Sequence, residues 1–261
     1  MSSSRRTVFA ALVVIAAVVV VAAGVRQARA HRTEGDLLRL PADEIAPNAA
    51  LLTFAAGRGP AIYADHCAQC HGADLKGDAR RGIPDLQDRV WLYGEGAISD
   101  IENTILYGIR SGHPKARNIT DMPAFLRIGQ LSAAEVSDVV EYVLSLSHEA
   151  QDDAAVRRGY DLYSNKGNCF DCHSGDALGN PDYGAPALTG PTWIYGGTRA
   201  ELLKSVRDGR HGLCPAWIDK LSPAQVREVA VYLYVQSARV APFAAVNAGD
   251  FRKSAAGDSA Q

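Results

Sequence analysis

The chain is written twice. Cys67-Ala-Gln-Cys70-His71 matches Cys169-Phe-Asp-Cys172-His173 at an offset of 102 residues. The same offset aligns Gly82-Ile-Pro84-Asp-Leu86 with Gly184-Ala-Pro186-Ala-Leu188, and Trp91-Leu-Tyr93-Gly94 with Trp193-Ile-Tyr195-Gly196. Farther on, Met122-Pro123-Ala124-Phe125 faces Cys214-Pro215-Ala216-Trp217 at an offset of 92. Leu131-Ser132 and Tyr142 then face Leu221-Ser222 and Tyr232 at an offset of 90, so the first copy carries about ten extra residues around Ser111–Thr120. Such a duplication limits the fold to two similar units and any site to a pair of sites.

Each copy reads as mainly α. Ser99-Asp-Ile-Glu102, Thr198-Arg-Ala-Glu201, Ser132-Ala-Ala-Glu135 and Ser222-Pro-Ala-Gln225 have the form of capping boxes. Val136, Val139, Val140 and Val143 recur at helical spacing, as do Val226, Val229, Ala230 and Leu233. A further helix is expected before each cysteine pair, through Ile62-Tyr63 and Leu162-Tyr163, and no long alternating strand pattern occurs. Units of about 90 residues are small for a self-sufficient core, which suits a bulky apolar cofactor. The expected organisation is an N-terminal segment (1–30), a linker (31–55), a first domain (56–148), a second domain (154–240) and a disordered tail (241–261).

Cys-x-x-Cys-His carries the chemistry. On one helical turn the residues at i, i+3 and i+4 share a face, so two thiols can form thioethers to haem vinyl groups while the histidine meets the iron. That is the c-type haem attachment pattern, and two copies in register predict two covalently bound haems c. A zinc ribbon would need its two pairs far closer together than Cys70 and Cys169. A thioredoxin-like redox pair needs a βαβ setting that the pattern does not offer.

Composition excludes several classes. With 47% hydrophobic and 21% charged residues the chain is ordinary globular material, neither collagen-like, disordered nor multi-span. Its net charge of −2 gives no basic footprint for a nucleic acid, and five cysteines are too few for a disulfide scaffold. The N-terminus differs from the rest: Arg5-Arg6 precedes an unbroken apolar run, Val8 to Val25, followed by Gln27-Ala28-Arg29-Ala30. Cleaved export signal and retained membrane anchor both fit this segment. Either one sends the haem motifs to the far side of the membrane, the bacterial periplasm.

Taken together, the doubled Cys-x-x-Cys-His, the doubled Trp-x-Tyr-Gly, Ser111-Gly-His113-Pro114 and Gly209-Arg210-His-Gly before Cys214 give a resemblance to class I cytochromes c. More closely, the chain resembles the dihaem subunit III of cbb-type (C-family) haem–copper oxidases, over about residues 36–238. The resemblance implies two tandem class I cytochrome c domains after the N-terminal apolar helix. It implies a non-catalytic relay that takes electrons from a donor cytochrome or quinol-oxidising complex toward the membrane subunits of a terminal oxidase. It also implies that Pro84 and Pro186 present carbonyls to His71 and His173, and that a Met-Pro-Ala motif supplies each haem's sixth ligand. Met122 fills that role for the first haem. The second copy departs, with Cys214 at the matching position and His211 as a competing ligand, so the expected iron ligands are His71, Met122, His173 and Cys214. Because Met1 is the only other methionine, the second haem is expected to lack a methionine and to be the lower-potential centre. Trp91, Tyr93, Trp193 and Tyr195 are expected to pack against haem, and Arg110 and Arg210 either to meet propionates or to lie solvated. The rival reading is a thiolate-haem redox or gas sensor, or a sulfur-compound-handling cytochrome, using the Cys214-ligated haem.

Overall fold

The computed structural model describes residues 3–238, with side chains from Leu12 onward. The tail expected at 241–261 lies outside the described residues. α1 (Ser3–Arg39) is one continuous helix whose apolar part, Leu12 to Val25, is exposed along its length. It is long and apolar enough to cross a membrane. Its last turn belongs to the body of the protein, with Leu37 fully buried.

The remaining helices are α2 (Ala49–His66), α3 (Ala68–His71), α4 (Ile98–Tyr107), α5 (Ala133–Ser145), α6 (Asp153–Ser164), α7 (Phe170–His173), α8 (Arg199–Asp208) and α9 (Pro223–Ala238). Their starts follow local chemistry. Ser132 with Glu135, and Thr198 with Glu201, close full capping boxes on α5 and α8. Ser222 and Gln225 bond reciprocally at the start of α9. The box expected at Ser99 does not form: α4 starts two residues earlier, after Ala97, and Ser99 instead donates its N–H and hydroxyl to Asp43 at 2.9 and 2.7 Å. Among the described residues no strand occurs, only isolated bridges.

Packing does not follow the repeat. The sequence predicts two self-contained stretches, each closed by its own last helix. Instead α5, from the first copy, packs on α6 and α8, while α9, from the second copy, packs on α2 and α4. One core therefore joins Leu37, Ile45, Ile62, Ile98 and Ile101 to Val226 and Val229. The other joins Phe125, Val136, Val139 and Val140 to Leu202 and Val206. Each copy has given its C-terminal helix to the other.

The exchange is reciprocal in detail. Gly59 on α2 lies against Tyr232 on α9, and Gly159 on α6 lies against Tyr142 on α5. Arg58 donates to Glu228 at 2.5 Å, and Arg158 donates to Asp138 through both arms at 2.7 and 2.8 Å. The chain crosses between units on two paired segments. Ile109 and Cys214 exchange backbone hydrogen bonds at 2.9 and 3.0 Å, and Met122 and Arg210 do so at 3.2 Å each way.

Candidate functional site

Each motif is a single helical turn, α3 or α7, hung from the end of a longer helix. Cys67 caps α2 and begins α3, and His71 N–H closes onto the Cys67 carbonyl at 3.0 Å. His173 closes onto Cys169 in the same way at 2.9 Å. A tyrosine four residues before the first motif and six before the second holds the exit: the Tyr63 hydroxyl donates to Gly72 O, and the Tyr163 hydroxyl to Ser174 O, both at 2.6 Å.

The imidazoles are oriented as expected. His71 Nδ1 lies 3.3 Å from Pro84 O, and His173 Nδ1 lies 2.9 Å from Pro186 O. A carbonyl accepts only from N–H, so the proton sits on Nδ1 and Nε2 keeps its lone pair. Burial holds both imidazoles below the ordinary histidine range, with the proline carbonyls opposing that shift. Both are neutral bases at pH 7.

The sulfur-bearing residues are the correction. Met122 was expected opposite the first motif and Cys214 opposite the second. The exchange reverses them. The loop carrying Cys214 hooks onto α4, with Trp217 N–H donating to Ile105 O and Leu106 O at 3.1 and 3.2 Å. Cys214 there raises the thiol of Cys67 electrostatically, after burial, which is the larger cause. Burial, with Cys70 beside it, pushes Cys214 itself up to about 11. The loop carrying Met122 hooks onto α8, with Phe125 N–H donating to Val206 O at 3.2 Å, and Met122 packs on the core against which Cys169, Leu188 and Trp193 also pack. Thus Cys214 lies near Cys67 and Cys70, and Met122 packs on the same core as Cys169. The physical reason is that each distal loop precedes the helix that has crossed over, and travels with it.

His211 takes no part in this arrangement: it is 62% exposed, lies outside the cavity lining, and faces Asp121 at 3.4 Å. Arg110 and Arg210 are not merely solvated. Arg110 Nε donates to Gly212 O at 2.5 Å, Arg210 lies 4.1 Å over the Tyr195 ring, and both line the cavity. Sequence reasoning missed Arg117. It lies in the inserted loop, 5.1 Å over Tyr93 and 3.5 Å from Asp100, and its buried Nε has no partner.

Both motifs, Met122 and Cys214 line one continuous cavity of about 760 Å³. Its walls include Leu86, Trp91, Ile105, Val140, Leu188 and Trp193. No disulfide joins any of the five cysteines. Each half offers two thiols one turn apart, a neutral imidazole with its second nitrogen fixed, a sulfur side chain from the crossing loop, and apolar walls. These residues fit a covalently held haem at each motif.

A helical protein with two such sites is a two-domain c-type cytochrome. Comparison with known proteins agrees: residues 56–147 match the cytochrome c family, and residues 154–233 match the family described as cytochrome c oxidase, cbb3-type, subunit III. The chain is 40% identical over 188 residues to the cbb3-type cytochrome c oxidase subunit FixP of Bradyrhizobium sp. (strain ORS 278), covering 70% of this chain and 62% of that protein. It is 39% identical over 199 residues to subunit CcoP of Cereibacter sphaeroides, covering 76% and 65%. With subunit CcoP of Rhodobacter capsulatus it shares 36% over 209 residues, covering 77% and 69%. The chain belongs to the CcoP/FixP family of cbb3-type oxidase subunits, and its two cytochrome c domains imply covalently bound haem c in each. It spans just under two thirds of the length of the first relatives. The rival sensor or sulfur-handling reading finds no support among these relatives.

Proposed function

We propose that the chain is a non-catalytic, membrane-anchored electron-transfer subunit facing the periplasm. It would accept electrons from a donor cytochrome or quinol-oxidising complex and pass them toward the membrane subunits of a terminal oxidase. In this reading Cys67, Cys70, His71 and Cys214 would hold one haem, and Cys169, Cys172, His173 and Met122 would hold the other. Bound haem supplies a one-electron iron couple. The protein supplies attachment, two different sulfur ligands and exclusion of water. The proline carbonyls hold the imidazole protons, so neither histidine exchanges a proton with solvent when the charge changes. The observation that carries the reading is the shared apolar cavity reaching both motifs, with one sulfur side chain delivered to each.

The test is direct. Membranes containing the full chain should yield a haem-to-chain ratio of two that survives acid–acetone extraction. Stopped-flow mixing with a reduced soluble c-type cytochrome should reduce both haems, and oxidase membranes lacking their own subunit III should reoxidise them. A ratio of one, or haems inert to both partners, would overturn it.

A further inference from the structure

The repeated Trp-x-Tyr-Gly sends its two aromatic rings to different units. Trp91 packs in the core built on α2 and α9, and Trp193 in the core built on α5 and α8. The tyrosines reach across. A Cβ placed on Gly82 would lie 2.0 Å from Tyr195 Cε1 and 2.3 Å from its Cζ. A Cβ placed on Gly184 would lie 2.1 Å from Tyr93 Cζ and 2.4 Å from its Cε1. In each case a flat ring from one unit rests on the bare Cα of a glycine in the other.

Those glycines are not incidental. Gly82 has φ +69° and Gly184 has φ +68°, and each is the last residue of a tight turn, directly before the residue that closes it. Asp78 and Ile83 exchange backbone hydrogen bonds at 2.9 and 3.0 Å around Gly82, and Asn180 and Ala185 do so at 2.9 and 3.1 Å around Gly184. The residue that leaves the first turn is Pro84, and the residue that leaves the second is Pro186. Their carbonyls hold His71 and His173. A ring seated on that glycine therefore stops the turn from swinging and fixes the carbonyl that aims the imidazole. The first of these bonds, at 3.3 Å, is at the long edge of the usual range and has little slack to lose.

We propose that Tyr195 and Tyr93 are crossed positioning residues: Tyr195 sets the proximal histidine of the first motif, and Tyr93 that of the second. The tyrosine encoded with one haem motif thus tunes the ligand field at the other. The inference rests on the haem assignment proposed above and goes beyond it, because neither repeat considered alone contains the contact. Hydrogen bonding to a ligating imidazole sets its basicity and orientation, so the readout is the reduction equilibrium of one haem.

The experiment uses the full chain in membranes, with spectro-electrochemical titration of both haems. Cys70→Ala leaves one thioether at the first motif and moves its optical band, which marks that site's wave. In that background Tyr195→Ala should change the reduction equilibrium of the marked haem by about threefold or more and leave the other unchanged. Tyr93→Ala should do the reverse. Tyr195→Phe, which keeps the ring, should leave the parental value. If Tyr195→Ala fails to accumulate, Tyr195→Leu keeps apolar bulk without a flat seat and must still move the marked wave. In the Tyr195 alanine or leucine variants, movement of the unmarked wave alone, of both equally, or of neither would overturn the proposal, as would an effect of Tyr195→Phe equal to that of the leucine variant. Failure of the underlying haem assignment would look different: the parental chain would lack covalent haem.

Discussion

Gly59 lies so close beneath Tyr232 that a Cβ on the glycine would sit 2.3 Å from the tyrosine Cβ and 2.7 Å from Glu228 O. The contact joins the first helix of one repeat to the last helix of the other. Gly159 makes the matching approach to Asp138 O, at 2.0 Å, and to Tyr142 Cβ, at 2.8 Å. Gly59→Ala and Gly159→Ala are each expected to cost about 1–3 kcal/mol through overpacking. Gly57, on the same helix with open space around it, supplies the control: Gly57→Ala should gain about 0.5–1 kcal/mol. Urea denaturation of the full chain reads all three.

Arg227 ties three elements together. Its Nε donates to Glu102 at 2.5 Å, and one arm donates to the carbonyls of Leu37 and Leu40 at 3.0 Å each. Both members of the ion pair are mostly buried, at 13% and 15% exposed. Arg227→Ala is expected to lose about 3 kcal/mol, because it leaves Glu102 uncompensated and the end of α1 uncapped. Cleavage near Leu37–Leu40 under limited proteolysis should rise with it. Arg227→Lys should rescue little, since one ammonium cannot reproduce the planar fork.

Acid sensitivity should show at Glu135. The Lys166 ammonium, with Ser132 N–H and hydroxyl, holds its carboxyl down at about 2. A carboxylate depressed on folding adds stability that is complete above the ordinary glutamate range and is lost as pH falls toward 2. Glu135→Gln should therefore flatten part of the stability profile between about pH 4.5 and 2. Denaturation midpoints across that window provide the measure.

The crossed sulfur pairing has its own test. Replacing Cys169 and Cys172 together by serine should leave one haem, attached at Cys67 and Cys70. That haem is expected to keep the thiolate signature in electron paramagnetic resonance, and Cys214→Met should abolish it there. The complementary chain, with Cys67 and Cys70 replaced, should show a methionine-ligated spectrum that Met122→Ala removes. Finding the thiolate with the second motif instead would restore the uncrossed pairing.

Much of this protein was legible in its residues, and the boundary is physical. The cysteine pairs, the proline carbonyls and the caps at Ser132, Thr198 and Ser222 are local, so spacing along the chain specifies them. The box at Ser99 misled because Asp43, more than fifty residues away in sequence, competes for the same hydroxyl. The exchange was invisible for a deeper reason. In a duplicated sequence Met122-Pro123 and Cys214-Pro215 are interchangeable by pattern, and a helix such as α5 presents the same valine face to either partner. Only the crossing segments decide between them, and the extra residues around Ser111–Thr120 are the one local mark that the two crossings differ.

Because the chain is made from its N-terminus, the exchanged helices give the two sites different histories. The second motif emerges with Met122 and α5 already made, and can close as soon as α8 follows. The first waits for Cys214 and α9, the last described parts of the chain. Its thiols and apolar wall stay uncovered through most of synthesis, so the site encoded first is the site completed last.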